Sequence, residues 1–137
     1  MPTIRIIGNS MLSFLAKFST GLWKLSDPEN GFTAIHSKVL ELVDMNKINN
    51  KFFFQADLLH HLNLIDAVIE DVPMVSIYGK EKSNNKILTA FLTFPYLHLR
   101  NFIRRIFVSY FIKNFSIASL FLIFGVLFTF GGSFFAI

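Results

Sequence analysis

The sequence predicts a mixed α/β body followed by interfacial helices and one transmembrane helix. Three observations predict it. Residues 115–137, FSIASLFLIFGVLFTFGGSFFAI, carry no charge. All 13 Lys and Arg and all 9 acidic residues of the 137-residue chain precede that run. Within the charged part, stretches with helical spacing alternate with stretches rich in β-branched residues, separated by turn formers.

The uncharged run fixes the last element. A hydrocarbon core about 30 Å thick needs about 20 apolar residues in a helix. Inside lipid the backbone must satisfy its own hydrogen bonds, which makes the run one continuous helix. Gly125, Gly131 and Gly132 are compatible with that, because glycine is frequent in membrane helices. A cleaved leader is excluded, since the run closes the chain instead of opening it.

Ahead of it the elements follow in order. Asn9 or Ser10 can cap a first helix, and Met11, Leu12, Leu15 and Phe18 continue it at helical spacing to about Ser19. Gly21 ends it. Residues 26–31, SDPENG, form an exposed loop. Residues 32–36 alternate weakly and predict a short strand. Ser37 caps a short helix reaching Val43, and residues 46–50 form a polar turn. Residues 56–64 predict a helix with Leu58, Leu59 and Leu62 on one side. Residues 67–78 are rich in β-branched side chains and predict a strand, with Pro73 at an edge or bend. Residues 79–86 form a largely basic loop. Residues 87–99 are apolar, too short to span, and interrupted by Pro95. Beyond them Ile103, Ile106, Phe107, Tyr110 and Phe111 share one helical face. Arg105, Ser109 and Lys113 lie opposite, with Arg104 at the boundary, where it can snorkel, and Arg100 toward the apolar side. A helix so patterned beside a span lies in the membrane interface.

Charge sets orientation and partner class. Arg100, Arg104, Arg105 and Lys113 precede the span and nothing charged follows it, which predicts a cytoplasmic N-terminal part. The net charge of +4 does not read as a nucleic-acid stripe, because the positives ahead of that cluster are interleaved with acids. Anionic lipid headgroups are the expected partner; self-association is also open. With no cysteine there is no disulfide framework and no thiolate metal site.

Chemistry is sparse when residues are taken singly. There is no P-loop, no G-x-G-x-x-G, no H-E-x-x-H and no D-x-D pair. Asp27 and Glu29 form the nearest acid pair, and a solvated loop is the ordinary reading of such a pair. His60 and His61 are neighbours on a helix, point in different directions and do not share a metal ion; a partly exposed helix face is expected. His36 and His98 stand alone.

The order of the segments says more. Residues 21–35, GLWKLSDPENGFTAI, resemble a stretch of the family 2 glycosyltransferases of the polyprenyl-phosphate type, in which an aspartate precedes Gly-Phe by a short gap. These include dolichyl-phosphate mannose synthases and bacterial undecaprenyl-phosphate sugar transferases. Residues 52–59, FFFQADLL, resemble that family's aromatic-Glu-x-Asp-Leu-Leu segment, with Gln55 where the glutamate is usual. Val72-Pro73-Met74 through Tyr78 and then Glu81-Lys82-Ser83 resemble a further segment, as do residues 5–9, RIIGN.

The resemblance implies an activity: transfer of a sugar from a nucleotide-sugar to a polyprenyl phosphate at the cytoplasmic membrane face. It makes Asp27 the catalytic base. Lys80, Lys82, Arg100 and Arg104 become candidates to hold the acceptor phosphate. It implies that residues 1–86 are the C-terminal part of a GT-A-like domain, with interfacial helices over 87–114 and a transmembrane helix over 115–137. In that family the donor-binding half, with its D-x-D and its Mg or Mn ion, lies upstream. The expectation is therefore a portion inactive by itself, which meets a nucleotide-sugar only together with that half. The alternative is a non-catalytic membrane protein that binds lipid phosphate or a membrane partner.

Overall fold

A computed structural model describes residues 3–73 and 87–135. Its elements are α1 (Thr3–Thr20), α2 (Ser37–Glu41), a 3-10 turn (Met45–Lys47), α3 (Phe54–Leu64), α4 (Ile87–Phe107), a π-helical turn (Val108–Lys113) and α5 (Ile117–Phe135). Helices α1, α3 and α4 pack on one another, and α5 leaves from the far end of α4.

The expected α/β organisation is overturned: among the described residues there is no strand. A strand needs a partner for its backbone groups, and the two predicted segments have none among the described residues. In residues 32–36 the Phe32 amide donates to the Asn30 side chain, and His36 becomes the N-cap of α2. In residues 67–73 the Ala67 amide donates to the Leu62 carbonyl, closing α3. The Asp71 carboxylate there accepts from the Ser26 amide, which holds it below its usual carboxylate range. With no sheet among the described residues, the GT-A-like assignment of 1–86 has no support there. The rest of the second predicted strand, 74–78, and the basic loop 79–86 lie outside the described residues.

The helices also differ in extent. Helix α1 begins at Thr3, so Asn9 and Ser10 sit inside it, not at its cap. Its C-terminus is closed thoroughly. Gly21 takes φ 80° and donates to the Lys17 carbonyl at 2.8 Å. Arg105 of α4 donates to the carbonyls of Ser19 and Phe18, each at 3.1 Å, and Asn63 of α3 donates to that of Thr20 at 2.8 Å. These are carbonyls that a helix end leaves without intrahelical partners. A Cβ on Gly21 would stand 2.7 Å from Arg105 Nη1, so glycine serves both the turn and the approach.

Helix α4 runs through Pro95 without ending there. Its contacts with α1 and α3 hold it on both flanks. Arg105, expected on the outward polar face, turns into the body to close α1. Lys113 pairs with Asp66, the residue at positive φ that ends α3.

The joint to α5 is tied by Ser119. Its hydroxyl donates to the Tyr110 carbonyl and accepts from the Ser116 amide. Residues 117–134 of α5 are long and apolar enough to cross a membrane. The hydroxyls of Thr129 and Ser133 donate to carbonyls one turn back, at Gly125 and Thr129, so both are satisfied within the helix.

Candidate functional site

The small apolar core, Val43, Ile48, Leu58 and Leu62, lies beneath α3. Above it the body is polar inside. Asp57 on α3 is fully buried. Its Oδ1 accepts from Asn101 Nδ2 at 2.8 Å and from Arg100 Nη2 at 3.3 Å, and its Oδ2 from the Asn49 amide at 2.8 Å. One carboxylate therefore ties α3, α4 and the loop before α3. Beside it, His61 Nδ1 donates to the Asp57 carbonyl at 2.9 Å, which leaves Nε2 to accept from Arg104 at 3.3 Å.

His60 has no exposed surface, and among the described residues neither ring nitrogen has a partner. Burial lowers its pKa to about 4, and the nearby Arg104 charge acts in the same direction. His98 on α4 is buried too, its Nδ1 2.7 Å from Ser19 Oγ, and burial likewise lowers its pKa to about 4. The expected partly exposed histidine face is thus corrected. Both members of the His60–His61 pair point into the body, because α3 is covered by neighbours on more sides than its leucine stripe announces.

The acidic turn is built, not merely solvated. The Asp27 carboxylate accepts from the Glu29 amide at 3.2 Å, and Asn30 caps Phe32 the same way. Pro28 is fully buried. Glu29 Oε1 is sealed from solvent and has no donor among the described residues. Desolvation, with the negative charge of Asp27 next to it, raises the Glu29 pKa to about 7. Just upstream in the chain a shallow apolar groove of about 310 Å³ is lined by Gly21, Leu22, Trp23, Lys24, Leu25 and Ile69.

This carboxyl has a testable signature. Its folded pKa lies above the ordinary 4.5, so its contribution to stability is whole below pH 4.5 and is lost as pH rises through 7. Glu29→Gln is expected to raise the thermal midpoint relative to the parent above pH 7 and to leave it unchanged below pH 4.5. A difference that does not vary with pH would refute the assignment.

Of the residues singled out from the sequence, Arg100 and Arg104 lie one turn apart on α4 and both reach α3, bracing it through Asp57 and His61. Nearly half of the Arg100 side chain, 47 %, stays exposed. Asp27 is bonded within its own turn, and among the described residues no hydrogen bond or ion pair joins it to either arginine. Lys80 and Lys82 lie outside the described residues. Among the described residues no group of three or more His, Asp or Glu side chains is placed to hold a metal ion.

Asp57 and Asn101 were not singled out from the sequence, and Glu29 was read as a solvated loop acid. Asp57 was visible only as one letter of the 52–59 segment, and Asn101 carries no local signal. Comparison with family models, curated proteins and solved structures finds no match to this chain.

Proposed function

We propose that this chain is the membrane-side portion of a polyprenyl-phosphate glycosyltransferase, working with a nucleotide-sugar-binding module that carries the D-x-D pair absent from these 137 residues. The observation that carries the reading is the convergence of its motif-bearing segments. Gln55 Nε2 donates to Thr33 Oγ1 at 2.8 Å, joining the 52–59 segment to the one that holds Asp27. Asp57 of the same segment binds α4, which feeds the span. In this reading α5 crosses the membrane and the basic residues before it keep the body on the cytoplasmic side.

The reaction forms a bond between a phosphate oxygen of the lipid and the anomeric carbon of the sugar, and breaks the bond from that carbon to the nucleotide diphosphate. A lipid phosphate needs little activation. Asp27 orients it or takes up its remaining proton. The exposed part of Arg100, with Arg104, Lys80 and Lys82, offsets the phosphate charge. Bringing donor and acceptor together supplies much of the rate in such a transfer, and the donor is positioned by the module outside these residues.

The test is glycolipid formation from a radiolabelled nucleotide-sugar in membranes of native host cells that lack the chain, complemented with parent or variant. The parent is expected to restore labelled glycolipid, and Asp27→Asn to lower the rate at least ~100-fold. The purified chain by itself is expected to transfer nothing. Full activity of Asp27→Asn would remove Asp27 from the reaction, and failure of the parent to restore labelled glycolipid would leave the non-catalytic, lipid-phosphate-binding reading in its place.

A further inference from the structure

Helices α1 and α4 each bury polar side chains while an apolar stripe stays exposed. On α4 the inward residues are His98, Asn101 and Arg105, while Tyr96, Leu99, Ile103 and Phe107 are each more than half exposed. On α1 Ala16, Ser19 and Thr20 are buried, while Ile7, Met11, Phe14 and Phe18 are 40–63 % exposed. Both outward sets recur at intervals of three and four, one stripe per helix. A helix folded for water does the reverse. Contiguous apolar stripes on the outside of a small body mark a surface that something apolar covers.

We propose that α1 is a second membrane-interface helix, lying beside α4 so that the two stripes form one apolar face seated on anionic lipid. Several observations favour lipid as the occupant. The stripes are joined: Phe18 of α1 stacks on Phe102 of α4 with ring centroids 4.5 Å apart. On α4 Phe102 lies next to the stripe residues Leu99 and Ile103 in helical spacing. Helix α1 is therefore carried at the level of α4. That level is set by the span, because Ser119 ties the start of α5 to the turn that ends α4. The face also has interfacial chemistry. Trp23, 56 % exposed, packs edge-on against Phe14 at 6.0 Å; tryptophan favours the headgroup level. Lys17, Lys24 and Arg104 lie near this surface in the chain, with long side chains that can reach phosphates while their stems stay apolar. This inference stands on the polarity of the two helices and not on the transfer reaction, so each can fail without the other.

The chain has no cysteine and one tryptophan, which makes the test direct. Nitroxide labels are placed on Met11→Cys, Phe14→Cys and, as the polar-side reference, Asn9→Cys, in the full chain reconstituted in phosphatidylcholine vesicles with a minority of phosphatidylglycerol. Collisions with oxygen report lipid, and collisions with a water-soluble nickel chelate report water. Labels at Met11 and Phe14 are expected to favour oxygen severalfold over nickel, and the Asn9 label the opposite. In the unlabelled parent, Trp23 emission is expected to be quenched several-fold more by lipids brominated near the carbonyl end of the chain than by aqueous iodide. Nickel access at Met11 and Phe14 equal to that at Asn9 would overturn the proposal, since the face would lie in water. Low access to both reagents would also overturn it, since a second copy or another polypeptide would then cover the face.

Discussion

Asp57→Ala is expected to destabilise the folded body by about 3–4 kcal/mol, read as a large fall in the thermal midpoint in detergent micelles. The Asp57 carboxylate has no exposed surface and receives three donors, from Asn49, Asn101 and Arg100. Removing it leaves the buried Asn101 side chain without an acceptor, at about 1–3 kcal/mol, and the part-buried Asn49 amide without one at a smaller cost. Arg100 adds less than a fully buried cation would, because its exposed half can turn to water. Asp57→Asn is expected to fall between parent and alanine, since it keeps one acceptor oxygen and presents an extra donor to Asn101. The double change Asp57→Leu, Asn101→Leu is expected to recover only part of the loss, because it removes the Asn101 donor but leaves the Asn49 amide and Arg100 without the carboxylate. An Asp57→Ala midpoint equal to that of the parent would show that the network contributes nothing to stability.

Acid is expected to unfold the body between pH 6.5 and 4, with His60 and His98 as the principal cause. Both are held neutral by burial, with pKa lowered from 6.5 to about 4. The sign follows from proton counts. Between those two values the unfolded chain binds protons that the folded chain does not, so stability falls as pH falls. The full effect is whole above pH 6.5 and amounts to about 3 kcal/mol for each histidine by pH 4. Two such losses are a large share of the ~5–15 kcal/mol that holds an ordinary domain folded. His60→Phe keeps a ring of similar shape and removes two nitrogens that have no partner among the described residues. It is expected to cost little at pH 7 and to move the acid midpoint lower. An acid midpoint unchanged in His60→Phe would remove His60 from this account. Glu29 acts in the opposite direction, losing its contribution as pH rises through 7, so the two effects confine maximal stability to a band near neutrality.

The family resemblance and the proposed reaction rest on segments read in order along the chain, and the structure contributes their meeting in space. Gln55 bonds Thr33 across a separation of 22 residues, and Asn101 bonds Asp57 across 44. Nothing local announces such pairs. The acidic turn shows the same limit. Its turn formers are plain in the sequence, yet the sealing of Glu29 depends on what packs over Pro28.

What the sequence by itself determined is what composition and period report. The uncharged run became α5, and the leucines of 56–64 became the buried side of α3. The apolar stripe of α4 stayed apolar and outward at Ile103 and Phe107. Tertiary structure alone decided the rest. Weak alternation over 32–36 and β-branched side chains over 67–73 did not make strands, because a strand is completed by a neighbour's backbone and none stands beside them among the described residues. Arg105 turned inward, because the end of α1 offered carbonyls that needed a donor. His60 went into the interior, because α3 is covered on more than its leucine side. A period in sequence identifies a face of an element; what covers that face is set by contacts between residues far apart in the chain.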